Sequence, residues 1–177
     1  MVFQQSWHEH SVPGIGVAVW ESAIGMIRLL EMSPDLVRGK RVLELGCGTA
    51  AVSITCALLG AASVIGSDRD LACLELAAAN VAANLKLSSD PEVRIVAHEW
   101  GSAHELGPFD LIVGADIMYD QTQFPALLKD LRGMSSDRCR IILVYPSRPE
   151  SNPSSPVQPN KTAVCYGRSR VRAAECV

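Results

Sequence analysis

Residues 42–48 of the chain read Val-Leu-Glu-Leu-Gly-Cys-Gly, and an aspartate, Asp68, follows twenty positions after Gly48. The apolar letters predict a strand that ends in a glycine turn, and a second apolar strand ends at the acid. A helix fits between the two. In parallel sheets this unit places backbone amides and a carboxylate around an adenosine-bearing ligand. The stretch therefore predicts an α/β fold with such a pocket at the end of its first strand.

The glycine turn has two interpretations on sequence grounds. Gly46 and Gly48 permit positive φ and close approach of a ligand to the backbone around Cys47. The segment 46–51 also fits the dinucleotide pattern G-x-G-x-x-G/A, but that pattern alone equally suits an ordinary strand-to-helix turn. Asp68 can accept hydrogen bonds from ribose hydroxyls, or it can cap the following helix. Asp70 is better placed to be that cap, which favours the ribose role for Asp68.

Glu44 is the residue that discriminates between ligands. A glutamate inside an apolar strand is costly to bury unless it is paired or hydrogen-bonded. A nicotinamide-binding strand does not need it, whereas an ammonium group or exposed backbone amides would satisfy it. The alternative is a salt bridge with Arg41 or Arg69.

Strands and helices alternate along the chain and predict a doubly wound, mostly parallel Rossmann-like sheet with helices on both faces. In such folds ligands lie at the carboxyl ends of the strands, near the point where the strand order reverses. The predicted strands cover residues 41–45, 63–67, 93–98, 109–115 and 139–145, and the predicted helices cover 17–32, 50–59, 71–87 and 121–134.

Composition bounds the class of protein. The 177 residues suffice for one domain with a core, and 48% are hydrophobic against 20% charged. The net charge of −3 provides no basic field for nucleic acid or a membrane surface. None of the six cysteines forms a Cys-x-x-Cys pair, so a metal site has no support and the thiols are expected to be reduced. The beginning of the sequence lacks a signal-peptide pattern. We expect a cytoplasmic protein, with the nucleus as an alternative.

Polar and aromatic residues follow the later strands. Asp116 comes directly after the fourth strand and Tyr119 three residues on, where a carboxylate and a ring face could attract a sulfonium or an amine. Trp100 follows the third strand and Trp20 lies in the predicted first helix, where both could cover a cofactor. Trp20 and Trp100 could equally be core residues, and Tyr119 could pack under the next helix. The four histidines lack ligand spacing and receive no role.

Together these motifs resemble the seven-strand S-adenosylmethionine-dependent methyltransferases of the METTL21-like protein-lysine group (methyltransferase family 16). The resemblance covers roughly residues 14–148. It implies a class I methyltransferase sheet, S-adenosyl-L-methionine as cofactor and a lysine side chain of another protein as substrate. It further implies that Asp116 and Tyr119 border the methyl-transfer site. Cofactor contacts are expected at Trp20, Glu44, Gly46, Cys47, Gly48, Asp68, Trp100 and Ala115. The motifs that carry the resemblance are Gly16-x-x-x-Trp20, residues 42–49, Ser67-Asp68, Glu99-Trp100-Gly101 and residues 109–119.

The chain departs from the family in two places. Ala50 replaces the glycine that often closes the turn. After the fifth strand, the family has a further helix and an antiparallel hairpin, whereas residues 149–177 here are rich in Pro, Ser, Asn and Arg. We expect a methyltransferase domain over residues 1–148 and a disordered tail over 149–177, with the last strands missing and the fifth strand left as an exposed edge. The sequence thus looks like a shortened product.

Two rivals to an N-methyltransferase remain. A nicotinamide oxidoreductase predicts a Tyr-x-x-x-Lys element or a second domain, and the chain has neither. A non-catalytic cofactor-binding or interaction module would keep the cofactor residues but lose the substrate wall. The expected state is a monomer that acts on protein, with no nucleic-acid or membrane partner.

Overall fold

The computed structural model describes residues 15–85, 91–102, 105–146 and 162–168 of the chain. Its centre is a sheet of six strands in the order β3-β2-β1-β4-β5-β6. The first five strands run parallel, and β6 is antiparallel to β5. The predicted doubly wound, mostly parallel fold is confirmed. The strands are β1 Arg41–Leu45, β2 Ser63–Asp68, β3 Val93–Ala97, β4 Phe109–Ala115, β5 Ser135–Pro146 and β6 Thr162–Arg168.

The strand order reverses beside β1, because the chain builds outward through β2 and β3 and then returns to add β4 on the other side. Side chains of β1 alternate between the two faces of the sheet. Val42 packs in a core with Met26, while its neighbour Leu43 packs in a second core with Leu127. Glu44 follows Val42 by two positions and therefore faces the same layer as Val42.

Helices cover both faces of the sheet, as right-handed crossovers require. The first three helices supply the core that contains Val42 and its extension toward β3, and α4 supplies the core that contains Leu43. The apolar periodicity predicted all four helices to within a few residues at most ends. Their observed bounds are α1 Glu21–Met32, α2 Ala51–Leu58, α3 Leu71–Asn84 and α4 Phe124–Gly133.

The start of the first helix differs from the prediction. The helix begins at Glu21, and Trp20 is its N-terminal cap residue rather than a helical residue. A separate 3-10 turn at Ile15–Val17 precedes it. Gly16 in this turn packs directly on the glycine turn, since a Cβ atom at Gly48 would lie 2.5 Å from the Gly16 carbonyl oxygen. The amphipathic pattern thus predicted a single helix where the structure has a 3-10 turn and a separate helix.

The expectation that no strand follows β5 is wrong. Residues 162–168 form β6, which pairs with β5 from Pro146↔Thr162 to Arg140↔Arg168. The composition of the tail obscured a short run of Thr, Val and Tyr that favours extended structure. The edge of β5 is therefore paired rather than exposed. Residues 149–161 and 169–177 of the predicted disordered tail, and the predicted end of α3 at Leu87, lie outside the described residues.

Within the part of the chain that the structure describes, no helix is long and apolar enough to cross a membrane.

Candidate functional site

A single cavity at the carboxyl ends of β1, β2 and β4 collects the residues predicted from the sequence. It lies beside the point where the strand order reverses, which is where parallel α/β sheets bind ligands. All ten predicted site residues line it: Trp20, Glu44, Gly46, Cys47, Gly48, Asp68, Trp100, Ala115, Asp116 and Tyr119. Their placement together agrees with the prediction of one site, while their individual roles in binding and catalysis stay predictions.

The glycine turn after β1 has a backbone that other residues would strain. Gly46 has φ +65° and Gly48 has φ +50°. The Gly48 N–H donates to an Asp68 carboxylate oxygen at 3.0 Å, and the Cys47 N–H donates to the Ser67 carbonyl at 2.9 Å. The end of β2 therefore holds the turn, and the positive φ values explain why glycine occupies both positions.

Ala50, where the family often has glycine, sits in the left-handed region with φ +60°. It is also the N-terminal cap residue of α2, and it has no side chain that can accept from the first amides of the helix. The cap comes from elsewhere in the fold. The Ser53 N–H, in the first turn of α2, donates to a Glu44 carboxylate oxygen at 2.8 Å, and the Ser53 hydroxyl donates to the same oxygen at 2.5 Å.

Glu44 is therefore satisfied by α2 rather than by an arginine. The side chain is 3% exposed, and no salt bridge to Arg41 or Arg69 occurs in the described ranges. Burial raises the pKa of the Glu44 carboxyl to about 8, against the lowering effect of the two bonds from Ser53. The sequence analysis missed Ser53. A serine at the third position of a helix that lacks a capping side chain was the available signal.

Both carboxylate oxygens of Asp68 accept hydrogen bonds from backbone amides. One accepts from the Gly48 N–H at 3.0 Å, and the other accepts from the Asp70 N–H at 3.1 Å. Each oxygen has a second lone pair for a ligand hydroxyl. The predicted cap of the next helix is confirmed, since Asp70 accepts from the Ala72 N–H at 2.9 Å.

Two thiols also line the cavity, and burial keeps them neutral. Burial, with added repulsion from Glu44 and Asp68, raises the pKa of the Cys47 thiol well above its usual range. The pKa of the Cys73 thiol rises to about 12, mainly through burial and then through Asp68 and Asp70. A neutral thiol is a poor nucleophile, so neither cysteine fits a covalent mechanism.

The wall after β3 contains a pair that the sequence analysis missed. His98, which received no role, is buried and lines the cavity together with Glu99 and Trp100. Its Nε2 lies 2.7 Å from an Asp130 carboxylate oxygen on α4. The two residues are thirty-two positions apart, so no local pattern could have joined them. The other three histidines lie outside the described residues.

The wall after β4 carries Asp116 and Tyr119. Asp116 has φ +56°, an uncommon backbone conformation for a non-glycine residue, and its N–H donates to the Val144 carbonyl at 2.8 Å. Non-glycine residues in this left-handed conformation are strained and persist only where the surrounding structure holds them. They cluster at ligand sites. Asp120 caps the turn that follows by accepting from the Thr122 hydroxyl and from the Thr122 N–H, and these two bonds lower the pKa of the exposed Asp120 carboxyl.

Aromatic side chains lie at the mouth and at one wall of the cavity. Trp20 is 44% exposed, which contradicts the alternative that it is a core residue, and Tyr119 is 47% exposed. Trp100 lines the cavity and also packs against the core under α4. Among the described residues that line the cavity, six are acidic and Arg69 is the one Lys or Arg, so negative groups outnumber cations even with Glu44 protonated. This favours a cationic ligand. Among the described side chains, no cluster of three or more His, Cys, Asp or Glu could hold a metal ion.

Comparison with solved structures agrees with the fold. Magnesium protoporphyrin IX methyltransferase from Synechocystis with bound SAM gives a TM-score of 0.56 at 23% identity, covering 68% of this chain and 55% of that one. Protein arginine methyltransferase 10 from Arabidopsis thaliana gives 0.59 at 18% identity, covering 68% and 35%. At this identity the likeness concerns the fold alone.

Comparison of the sequence finds nearer relatives. Protein N-lysine methyltransferase METTL21A of Danio rerio is 41% identical over 133 residues, which are 73% of this chain and 60% of the relative. EEF1A lysine methyltransferase 3 of Mus musculus is 36% identical over 139 residues, which are 77% of this chain and 58% of the relative. The chain thus spans about 60% of the length of the relatives it matches. A family model described as lysine methyltransferase matches residues 4–154. The chain belongs to this lysine methyltransferase family.

Proposed function

We propose that this chain is a protein-lysine N-methyltransferase that uses S-adenosyl-L-methionine. One observation supports this most strongly. Carboxyl groups from three different strands, Glu44 near the end of β1, Asp68 at the end of β2 and Asp116 after β4, meet at one cavity together with a glycine turn. The nearer relatives are named as protein-lysine methyltransferases, and one structure of the same fold has this cofactor bound.

The residues present fit the cofactor. Asp68 is placed for the ribose hydroxyls, because both of its oxygens are fixed by backbone amides and still have free lone pairs. Trp100 lies on the adjacent wall, where its ring suits the adenine. Asp116 follows β4, where its negative charge suits the ammonium and sulfonium groups, and Glu44, which its raised pKa keeps protonated near neutral pH, lines the cavity at the end of β1.

When bound, S-adenosylmethionine supplies an activated methyl group that an amine attacks in line. The chain has to align the amine and exclude water. Asp116, fixed by its bond to Val144, orients the amine or the methionyl end of the cofactor. Trp20 and Tyr119 at the mouth line the approach of a lysine stem and attract its charge through their ring faces. The lysine must lose its proton before attack, which a desolvated channel favours. The proposal includes no dedicated general base.

The partner is a protein that offers a lysine. We extend the proposal to a monomer in the cytoplasm, with the nucleus as an alternative. Cys47, Cys56, Cys73 and Cys139 are free and buried, as expected for a reducing compartment. The net charge of −3 argues against nucleic acid and anionic membranes as partners.

Two measurements test the function. Calorimetric titration of the purified chain with S-adenosylmethionine, S-adenosylhomocysteine and NAD tests the ligand, and only the first two are expected to bind. Incubation with methyl-labelled cofactor and a protein lysate tests transfer, and labelled lysine is the expected product after hydrolysis of the bands.

The outcomes separate the rivals. Binding of NAD without either adenosyl ligand would establish a nicotinamide protein instead. Binding of the adenosyl ligands with no labelled protein would support a non-catalytic module. Label on arginine or on nucleic acid would keep the enzyme but refute its substrate class.

A further inference from the structure

The loop of residues 98–102 after β3 is tied to α4 by one buried carboxylate. Asp130 places one oxygen 2.7 Å from His98 Nε2 and accepts the Gly101 N–H at 3.1 Å with the other. The His98 and Asp130 side chains are 3% and 0% exposed. Because a carboxylate only accepts, the bond to Asp130 requires the proton on Nε2.

The two bonds bracket the residues that face the cavity. Glu99 and Trp100 stand between His98 and Gly101 in the chain, and both line the cavity. The backbone N–H of His98 also donates to the Asp68 carbonyl at 2.9 Å. The loop is therefore fixed from two sides, by the end of β2 and by α4.

Close packing leaves the loop little freedom to shift against the helix. Gly101 has φ +78°, and a Cβ atom there would lie 3.1 Å from the Ala126 Cβ on α4. The Lys129 ammonium donates to the Gly101 carbonyl as well. A buried ion pair or charged hydrogen bond is costly to desolvate and adds little net stability, so its benefit here is a fixed geometry.

We infer that His98 and Asp130 are positioning residues for the cofactor: they hold Glu99 and Trp100 in the arrangement that walls the cavity. This rests on the proposed function, since it takes the adenosyl cofactor as the ligand. In their absence the loop would occupy the binding arrangement only part of the time. The apparent dissociation constant rises by the inverse of that fraction, while the rate at saturating cofactor is retained.

Asp130→Ala and His98→Ala test the inference, with Asp130→Asn as the conservative variant and Leu30→Ala as the control. Leu30 is buried on α1 in the other core, and its truncation leaves both bonds of Asp130 and the packing of Trp100 in place. The asparagine keeps an oxygen for the Gly101 N–H, and its amide can donate to the other tautomer of His98. Two quantities are measured on the full chain: S-adenosylhomocysteine affinity by calorimetry, and amide hydrogen exchange over residues 99–102 without ligand.

The alanine variants are expected to bind S-adenosylhomocysteine about tenfold or more weakly and to exchange the loop amides at least about tenfold faster, as for an arrangement populated a tenth of the time. Asp130→Asn should recover most of both. Leu30→Ala should lose melting temperature but keep affinity within about twofold, since it removes packing from the core that does not contact Trp100. In turnover, KM for the cofactor should rise with kcat nearly unchanged.

Unchanged affinity and exchange in Asp130→Ala would overturn the inference, as would an equal loss of affinity in Leu30→Ala. If the unmodified chain binds no S-adenosylhomocysteine, the proposed function fails and the inference about cofactor positioning fails with it. If it binds but transfers no methyl group, only the function fails, and the affinities and exchange rates still decide the role of the pair.

Discussion

The two walls of the cavity are built in different ways. At the ends of β1 and β2, backbone amides meet carboxylates within a short stretch of chain: Gly48 bonds Asp68, and Ser53 bonds Glu44. At the ends of β3 and β4, the lining side chains sit on loops that distant elements hold, through Asp130 on α4 and Val144 on β5. We call the wall at the ends of β1 and β2 the preset wall, because hydrogen bonds within its own segment of the chain hold it. The other wall is held by elements that are distant in the sequence.

This difference matches the tasks proposed for the walls. The nucleoside part of a cofactor is common to many enzymes, and a rigid, local device suits it. The reacting end has to accept a substrate, and exposed aromatic side chains at the mouth suit that. Substitutions in the first wall should therefore act on cofactor binding and folding, as should those that release the loop after β3, whereas substitutions after β4 should act on turnover.

The largest effect is expected from Gly48→Ala, which breaks the preset wall. A methyl group there would meet the Gly16 carbonyl oxygen at 2.5 Å, in a backbone with φ +50°. Strain of about 1–2 kcal/mol and overpacking of about 1–3 kcal/mol should together reduce stability. The displaced turn should abolish detectable cofactor binding. Chemical denaturation and calorimetry measure the two effects.

Two other glycines separate the causes. Gly39→Ala carries the same kind of strain, with φ +69° but open space around the new methyl group, so it should show the strain alone. Gly133→Ala has neither strain nor a close neighbour and should be neutral or slightly stabilising. Equal losses in Gly48→Ala and Gly39→Ala would contradict a role for the contact with Gly16.

Asp68→Ala comes next in size. It removes the acceptor for two backbone amides and the predicted acceptor for the ribose. Cofactor affinity should fall by roughly 1–3 kcal/mol, the cost of leaving buried partners unbonded. Asp35→Ala is the matched control, because it also removes one negative charge, from an exposed surface pair, and should leave affinity unchanged. An unaltered affinity in Asp68→Ala would remove this residue from the site.

The preset wall was largely predictable from the sequence, and the reason is physical. The glycines, Asp68 and Asp70 lie in one continuous segment from the end of β1 to the start of α3, so their spacing alone limits their partners. Ser53 was missed although it is local: backbone amides were expected as possible partners of Glu44, but the spacing did not show that the helix after the turn would supply them. The fold class followed from the alternation of apolar strands and helices.

The second wall was only half predictable. The residues that follow strands, such as Trp100 and Asp116, could be placed at the rim, but the elements that hold them could not. The partner of His98 lies on a different helix, and single-sequence spacing carries no such pairing. β6 was missed for a related reason, since a strand at a sheet edge needs a partner, β5, that composition does not reveal.

Glu44→Gln tests the charge state of the first wall. The folded pKa of about 8 lies above the ordinary value of 4.5. The folded state therefore holds a proton that the unfolded state has lost between these values, and stability falls as pH rises through this window. The glutamine side chain does not titrate, so the stability of Glu44→Gln does not fall for this reason. Relative to the unmodified chain it should gain at least about 1 kcal/mol from pH 5 to pH 8, since one pKa unit corresponds to about 1.4 kcal/mol. Denaturation at both pH values measures it, and a constant difference would contradict a raised pKa.

The smallest effect is expected from Tyr119→Phe, which sharpens the account of the second wall. Tyr119 is 47% exposed, so loss of its hydroxyl should change stability by less than about 0.5 kcal/mol. If the ring face attracts the cationic groups, phenylalanine keeps that attraction and alanine loses about 0.5–1 kcal/mol of it. Turnover with a protein substrate should then be nearly normal in Tyr119→Phe and several-fold lower in Tyr119→Ala, with cofactor affinity similar in both. Equal losses of turnover in Tyr119→Phe and Tyr119→Ala would show that the hydroxyl, and not the ring face, is the group that matters. In either case, a change in turnover without a change in cofactor affinity would separate this wall from the one around Gly48.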